Sequence, residues 1–158
     1  PDFRKTQEQA VAAIGPTAPL VWGHNVETVP RLYKSVRPGS DYQRSLDILE
    51  RAAALPQVEA KSSLILGLGE REDEVRAVLE DLRAVGVTRV ALGQYLRPAV
   101  DKVPVQEYLP PERFDALGEL ARELGFSWVK SAPLVRSSYH AEEEAPARPE
   151  THAQPEEA

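Results

Sequence analysis

The chain has 158 residues, of which 42% are hydrophobic and 28% are charged, and this composition is typical of one soluble domain with its own core. Its formal net charge of -6 argues against nucleic acid or an anionic membrane as the main partner, and no apolar run approaches the ~20 residues of a membrane span. The chain has no cysteine, which excludes disulfides and any thiolate metal site built by this chain alone.

Helical and strand-like patterns alternate in the first part of the chain. A helix is predicted from Lys5 to Ile14, where a Gly-Pro pair ends it. A short apolar run over Leu20–Trp22 predicts a strand. Apolar residues at helical spacing over 29–36 predict a helix that breaks at Arg37–Gly39, and Asp41 can cap the next helix, which extends to Leu55.

The same alternation continues to residue 129. The predicted elements are a buried strand over Leu64–Leu66, a helix over Asp73–Val85, a strand over Thr88–Leu92, a Pro-punctuated loop over 97–111, a helix over Glu112–Leu124 and a strand over Phe126–Val129. This order predicts an α/β fold with parallel strands, and about four strands are too few for a closed eight-stranded barrel. Right-handed crossovers should curve the sheet one way, as in part of a barrel.

The end of the chain has a different composition. From about Glu142 onward, Glu, Ala and Pro dominate, and such a segment cannot bury enough surface to offset its ordering entropy. We therefore expect a folded unit over residues 1–141 and a disordered acidic tail over 142–158. No apolar leader segment is recognisable, so we expect a cytoplasmic location, and the absence of methionine fits a fragment or a processed chain.

Polar side chains follow each predicted strand, where ligands bind in parallel α/β folds. They are His24 and Asn25, then Glu70, then Gln94 and Tyr95, and finally a dense run over Arg136–His140. Ordinary loop polarity explains any one of them equally well, whereas four polar strand ends at one rim favour a ligand site. The glycine pair before Glu70 matches neither a Rossmann fingerprint nor a P-loop, and a plain tight turn remains its simplest interpretation.

Five segments carry a more specific signal than any single residue. They are Gly23–Tyr33, Val36–Tyr42, Lys61–Glu70, Leu92–Leu96 and Pro133–His140. In this order and spacing they closely resemble the C-terminal half of the lipoyl synthase family, and the resemblance covers about residues 1–141.

The resemblance implies a radical S-adenosylmethionine enzyme built on a partial (β/α)6 TIM-like barrel, of which this chain is the C-terminal part. Members of that family insert two sulfur atoms at C6 and C8 of an octanoyl chain carried by a lysine. The implied protein partner is a lipoyl carrier domain or the glycine-cleavage H protein. The implied cofactors are S-adenosylmethionine and two [4Fe-4S] clusters, one of which cleaves S-adenosylmethionine while the other donates sulfur.

The resemblance also implies roles for individual residues. It assigns cofactor contacts to Asn25, Arg37, Gly67, Gly69, Glu70 and Gln94. It assigns substrate contacts to His24, Tyr95, Arg136 and Tyr139. A serine of the run that begins at Arg136 is implied as the ligand of the sulfur-donating cluster, and Ser138 is favoured over Ser137 for this role.

The chain departs from the family in one decisive respect, because it lacks every cluster cysteine. It cannot hold either cluster by itself, so we expect it to be inactive without an N-terminal half of the same enzyme. A second hypothesis is a non-catalytic barrel fragment that serves as a binding or docking module. We also expect the first strand to present an open edge, which predicts marginal stability or association that covers this edge.

Overall fold

The fold is a parallel sheet of four strands in the order β1-β2-β3-β4, seen in a computed structural model that describes residues 3–17 and 21–138. The strands are β1 (Val21–Gly23), β2 (Glu59–Leu66), β3 (Arg89–Gln94) and β4 (Trp128–Ser131). All three strand pairs are parallel, which confirms the predicted α/β class and is compatible with part of a TIM-like barrel. The predicted acidic tail, Tyr139 and His140 lie outside the described residues.

Five helices accompany the strands in the described part of the chain. They are α1 (Gln7–Ile14), α2 (Tyr33–Val36), α3 (Tyr42–Ala53), α4 (Glu72–Ala84) and α5 (Pro111–Glu123). The prediction for residues 29–36 was wrong in form, because Pro30–Leu32 is a 3-10 turn and only the last four residues are α-helical. Proline fixes φ at the first position of this turn, and such tight turns are common where helices begin. None of the helices in the described residues has the length and apolar character needed to cross a bilayer.

The helices begin and end at capping side chains and glycines that can be recognised in the sequence. The Asp41 carboxylate accepts a hydrogen bond from the Arg44 backbone nitrogen at 2.7 Å, so the predicted cap of α3 is confirmed. At the start of α4, Glu74 accepts from the Arg71 backbone nitrogen at 2.8 Å. The chain leaves α4 through Gly86, whose φ of +85° lies in the left-handed region that glycine adopts without strain.

Side-chain alternation gives the sheet two different faces. Even-numbered residues such as Leu64, Val90 and Leu92 pack with residues of α3, α4 and α5 in one buried core. Consecutive parallel strands joined by right-handed crossovers place their helices on the same side, which explains this asymmetry. The opposite face, here called the helix-free face, carries the odd-numbered residues of β2 and β3 and, by register, the even-numbered residues of β4. They are Lys61, Ser63, Ile65, Arg89, Ala91, Gly93, Trp128 and Lys130.

The predicted bounds of three strands need correction. β2 begins at Glu59 rather than Leu64, because the polar residues Lys61 to Ser63 pair fully with β3 and are buried. β3 extends past Leu92 to Gln94 by the same pairing. β4 begins at Trp128, since Phe126 belongs to the core that precedes the strand, and it ends at Ser131 rather than Val129, because Lys130 and Ser131 pair with β3. Each error has one cause: pairing with a neighbouring strand, not apolar character, sets where these strands begin and end.

Candidate functional site

The chain bulges directly after β1 and then pairs with β2 once more. The His24 backbone nitrogen donates to the Lys61 carbonyl at 3.0 Å, and the Glu27 nitrogen donates to the Ser63 carbonyl at 2.9 Å. Three steps along one strand therefore face two steps along the other, which is the signature of a β-bulge. Glu27 has a φ of +66°, an uncommon backbone conformation for a residue that is not glycine. Bulges and strained residues of this kind concentrate beside functional sites, where they re-aim side chains.

The bulge opens onto a cavity of about 470 Å³. Its lining includes His24, Asn25, Glu27, Arg37, Lys61 and Ser137. Pockets for small molecules range from roughly 300 to 1,000 Å³, so this cavity is large enough for a metabolite-sized ligand. It lies where the carboxyl end of β1 meets the helix-free face, which agrees with the rim predicted from the sequence.

A smaller cavity of about 130 Å³ adjoins the first and shares Asn25, Glu27 and Ser137 with it. Its remaining wall comes from the helix-free face, including Ser63 and Gly93. The two cavities together bring the bulge after β1, the middle of β2 and β3, and the segment after β4 around one space. Polar groups from parts of the sequence more than 100 residues apart therefore converge at one place.

Arg37, which directly follows α2, stabilises the bulge through hydrogen bonds to its backbone. Its Nη1 donates to the carbonyl oxygens of Asn25 and Val26, each at 3.1 Å, and to the Tyr33 hydroxyl at 3.2 Å. The Tyr33 hydroxyl itself donates to the Val26 carbonyl at 2.7 Å, and burial raises the pKa of Tyr33 so that it remains a neutral donor. Arg37 therefore holds the backbone from which the neighbouring cavity side chains project.

The charges on the cavity wall are mixed. Glu27 supplies a carboxylate, whose Oε1 accepts from Asn25 Nδ2 at 3.2 Å, and Lys61 and Arg37 supply cations. A wall of this kind can bind an ammonium group at the carboxylate and a carboxylate group at the cations of the same small molecule.

The segment after β4 crosses the helix-free face above Gly93. The Gln94 backbone nitrogen donates to the Pro133 carbonyl at 3.1 Å, and a Cβ added at Gly93 would overlap the Val135 carbonyl oxygen. This close approach places the half-buried Ser137 in both cavities, whereas Ser138 is exposed and lines neither of them. Arg136 lines the smaller cavity, and its Nη1 donates to the Val135 carbonyl at 2.7 Å.

The predicted contacts in the glycine turn form a separate group. The Glu70 carboxylate accepts from the backbone nitrogens of Gly67 at 2.6 Å and Leu68 at 2.9 Å, so it closes the turn in which it lies. Gly69, with a φ of +97°, presents its carbonyl to Arg31 Nη2 at 2.8 Å. Neither cavity described above includes these residues in its lining.

Gln94 and Tyr95 organise the long loop that follows β3. Gln94 Nε2 donates to the Glu107 carbonyl at 3.0 Å, and Gln94 Oε1 accepts from the Leu109 nitrogen at 3.0 Å. The Tyr95 hydroxyl donates to the Val103 carbonyl at 2.8 Å. Of the six predicted cofactor contacts, only Asn25 and Arg37 therefore line the larger cavity.

Sequence reasoning overlooked several residues that line the cavities, among them Glu27, Lys61 and Ser63. A carboxylate between the apolar residues Val26 and Val29 is a polar interruption directly after a strand, and this signal was available. Lys61 and Ser63 gave no such signal, because their place within β2 depends on strand pairing.

No group of three or more His, Cys, Asp or Glu side chains is placed to hold a metal ion in the part of the chain that the structure describes. An iron–sulfur cluster is normally held by thiolates, and the whole sequence contains none. The residues of this chain therefore do not fit a [4Fe-4S] cluster on their own. Ser137 offers one oxygen at the edge of both cavities.

Comparison with known proteins gives a consistent result. The chain is 54% identical over 146 residues to the lipoyl synthase of Methylococcus capsulatus, and this match covers 92% of the chain and 45% of that protein. It is 51% identical over the same length to the lipoyl synthases of Thioalkalivibrio sulfidiphilus and Vibrio vulnificus, covering 46% of each. The chain thus spans a little under half the length of the curated relatives it matches. No family model matches the chain.

Proposed function

We propose that this chain, a homologue of lipoyl synthases over 92% of its length, is the C-terminal half of such an enzyme. The proposed activity of the whole enzyme is insertion of two sulfur atoms at C6 and C8 of an octanoyl chain carried by a lipoyl carrier domain or by the glycine-cleavage H protein. The observation that carries this proposal is the 49–54% identity over 146 residues. The convergence of polar groups at the carboxyl ends of parallel strands supports it independently.

The larger cavity is the proposed site of S-adenosylmethionine, a molecule with an ammonium group, a carboxylate and sugar hydroxyls. Glu27 and Asn25 offer acceptors for an ammonium or a hydroxyl, and Lys61 offers a positive charge to a carboxylate. Arg37 contributes by fixing the backbone of the bulge through its contacts with the carbonyls of Asn25 and Val26. Bound S-adenosylmethionine would supply a carbon-centred radical for hydrogen abstraction once an iron–sulfur cluster, which this chain does not hold by itself, has donated the electron that cleaves it.

The iron–sulfur clusters fall outside what this chain can hold, so their thiolates must come from an N-terminal half. This chain can contribute one serine oxygen, and sequence resemblance favours Ser138. The exposure of Ser138 and the position of Ser137 in both cavities support Ser137 as the alternative. A Ser137→Ala and Ser138→Ala pair separates the two, because only loss of the true ligand should lower the iron content of the sulfur-donating cluster.

A chimera tests the proposed function directly. The part of the Methylococcus capsulatus enzyme that precedes its matched region would be joined to this chain, reconstituted with iron and sulfide, and given an octanoylated H protein. Intact-mass spectrometry should show the gain of two sulfur atoms with the chimera and no change with the isolated chain. A folded chimera with a full complement of iron that leaves the H protein unchanged would overturn the proposal.

Two variants of the chimera test whether S-adenosylmethionine binds in the larger cavity. Glu27→Gln should weaken S-adenosylmethionine binding, measured by equilibrium dialysis, by about tenfold through loss of one charged contact. Glu8→Gln, an exposed change on α1, should leave binding unchanged. Equal binding by both variants would show that the ligand lies elsewhere.

The absence of cysteine favours a second candidate, a non-catalytic docking module. In that case the isolated chain should bind the octanoylated H protein by itself. Analytical ultracentrifugation of the two proteins distinguishes the candidates, since the enzyme hypothesis requires the N-terminal half for the complete site, whereas the docking hypothesis requires nothing else.

A further inference from the structure

A group of cations surrounds one tryptophan on the helix-free face, at the end of the sheet where β3 and β4 begin. Lys61, Arg89 and Trp128 occupy one row across β2, β3 and β4, and Lys130 follows two positions along β4. The Trp128 ring centroid is 4.4 Å from Lys61 Nζ, 5.8 Å from the Arg89 guanidinium carbon and 5.9 Å from Lys130 Nζ. Three positive charges therefore converge on a single aromatic side chain.

Arg89 is the unusual member of this group. It is only 8% exposed, and its Nε donates to the Glu59 carboxylate. Its Nη1 is buried and has no hydrogen-bond partner among the residues that the structure describes. Buried charged donors are costly unless they are paired, so a guanidinium nitrogen in this state indicates a place for an acceptor.

The charge balance indicates which acceptor is suitable. The cations converge within about 6 Å of the ring, while Glu59 is the carboxylate that pairs with Arg89 and is itself 42% exposed. A guanidinium interacts more strongly with a carboxylate than with a neutral acceptor, because the hydrogen bond is then assisted by charge and the planar fork matches the two carboxylate oxygens.

We propose that Arg89, Lys61 and Lys130 form a binding site for a carboxylate, with Arg89 Nη1 as its hydrogen-bond donor. The site is distinct from the two cavities but touches the larger one, because Lys61 lines both. A carboxylate bound here would attract the Lys61 ammonium group toward Trp128. It would therefore compete with a ligand in the larger cavity for the charge of Lys61. This inference does not depend on the proposed function.

The carboxylate has two possible sources, a free small molecule and the acidic tail of this chain. Residues 142–158 contain six glutamates and a single arginine. In the sequence the tail begins four residues after Ser138, the last described residue of the segment that crosses the helix-free face, and its 17 residues would span roughly 56 Å if extended, which exceeds the length of β2. Comparison of the full chain with a chain that ends at Ala141 distinguishes the two sources.

The test is an NMR titration with sodium acetate, with sodium chloride at equal ionic strength as the reference, which follows the Trp128 indole and the Arg89 Nε–H signals. Acetate should shift both signals to saturation in the chain that ends at Ala141. Arg89→Lys, which keeps the charge but loses the forked guanidinium, should weaken acetate binding by about tenfold. Lys130→Gln, at an exposed position, should weaken it by about threefold, whereas Lys34→Gln on α2 should have no effect.

The full chain then identifies the occupant. If the tail fills the site, the full chain shows the shifted signals without acetate, and removal of residues 142–158 reverses them. If a free molecule fills the site, both chains respond equally to acetate. Either result supports the site, whereas equal responses to acetate and chloride in both chains, or an acetate response that persists unchanged in folded Arg89→Lys, would overturn it.

Discussion

Substitution of Gly67 by alanine should destabilise the fold by far more than the same change at its neighbour Gly69. Gly67 has a φ of +98° and lies directly after β2. An added Cβ would overlap the carbonyl oxygen of Glu107 and the side-chain nitrogen of Gln94. The loop after β3 would have to move away from the turn.

The magnitude follows from two contributions. The left-handed backbone costs an alanine about 1–3 kcal/mol at either glycine, because Gly69 has a nearly identical φ of +97°. At Gly67 the loop displacement also breaks the Gln94–Glu107 hydrogen bond and the bonds that the Gly67 carbonyl accepts from residues 106 and 107. Their loss adds about 2 kcal/mol to the destabilisation. At Gly69 the nearest atom to a new Cβ is the flexible Gln106 Cγ at 3.4 Å, so no such addition applies.

Urea denaturation followed by circular dichroism measures both variants under the same conditions. We expect Gly67→Ala to lose about 2 kcal/mol more unfolding free energy than Gly69→Ala, and hydrogen exchange at the Leu109 amide to become faster only in Gly67→Ala. Losses that agree within about 0.5 kcal/mol would refute the reasoning, because backbone strain alone would then account for both.

Three further changes have defined outcomes. Gly93→Ala should force the segment that carries Ser137 off the sheet, so amide exchange over residues 134–138 should become faster, and unchanged exchange would contradict the close approach. The hydrogen bond from Arg31 lowers the pKa of Glu74 from 4.5 to about 2, so stability present above pH 4.5 should be lost as the pH falls toward 2. Glu74→Gln should reduce the loss of unfolding free energy in this acidic range. An equal loss in the variant would show that other carboxylates cause it. Burial and a hydrogen bond to a carboxylate raise the pKa of Tyr42 above its usual 10, so stability should fall as the pH rises beyond 10. Tyr42→Phe should reduce this fall, and an equal fall in the variant would contradict the role of Tyr42.

The architecture could be predicted from the sequence because glycine and proline mark most element ends. Gly86 and Gly125 end the helices they were expected to end, and Asp41 caps α3 as its position indicated. The regular alternation of apolar strands and amphipathic helices then leaves few topologies besides a parallel sheet.

Without the family resemblance, which also indicated Arg37 and Ser137, the candidate site was predictable only where a polar residue directly follows a strand. His24 and Asn25 met this condition and line the larger cavity. Gln94 also met it, but its amide is used by backbone groups 13 and 15 residues further along, and no local pattern encodes such contacts. Glu27 was overlooked because its position depends on the bulge, which is defined by pairing with β2 rather than by its own sequence.

The strand order has a consequence for how such a protein can be divided. Each strand pairs with the one that precedes it along the chain, so the sheet grows by one βα unit at a time and its hydrogen-bond ladders never link distant units. A cut between units breaks a single ladder and leaves all the others intact. A gene split before β1 would therefore yield two parts that rejoin along one seam of backbone hydrogen bonds, and the β2–α4–β3 unit could fold early without contacts from the other part.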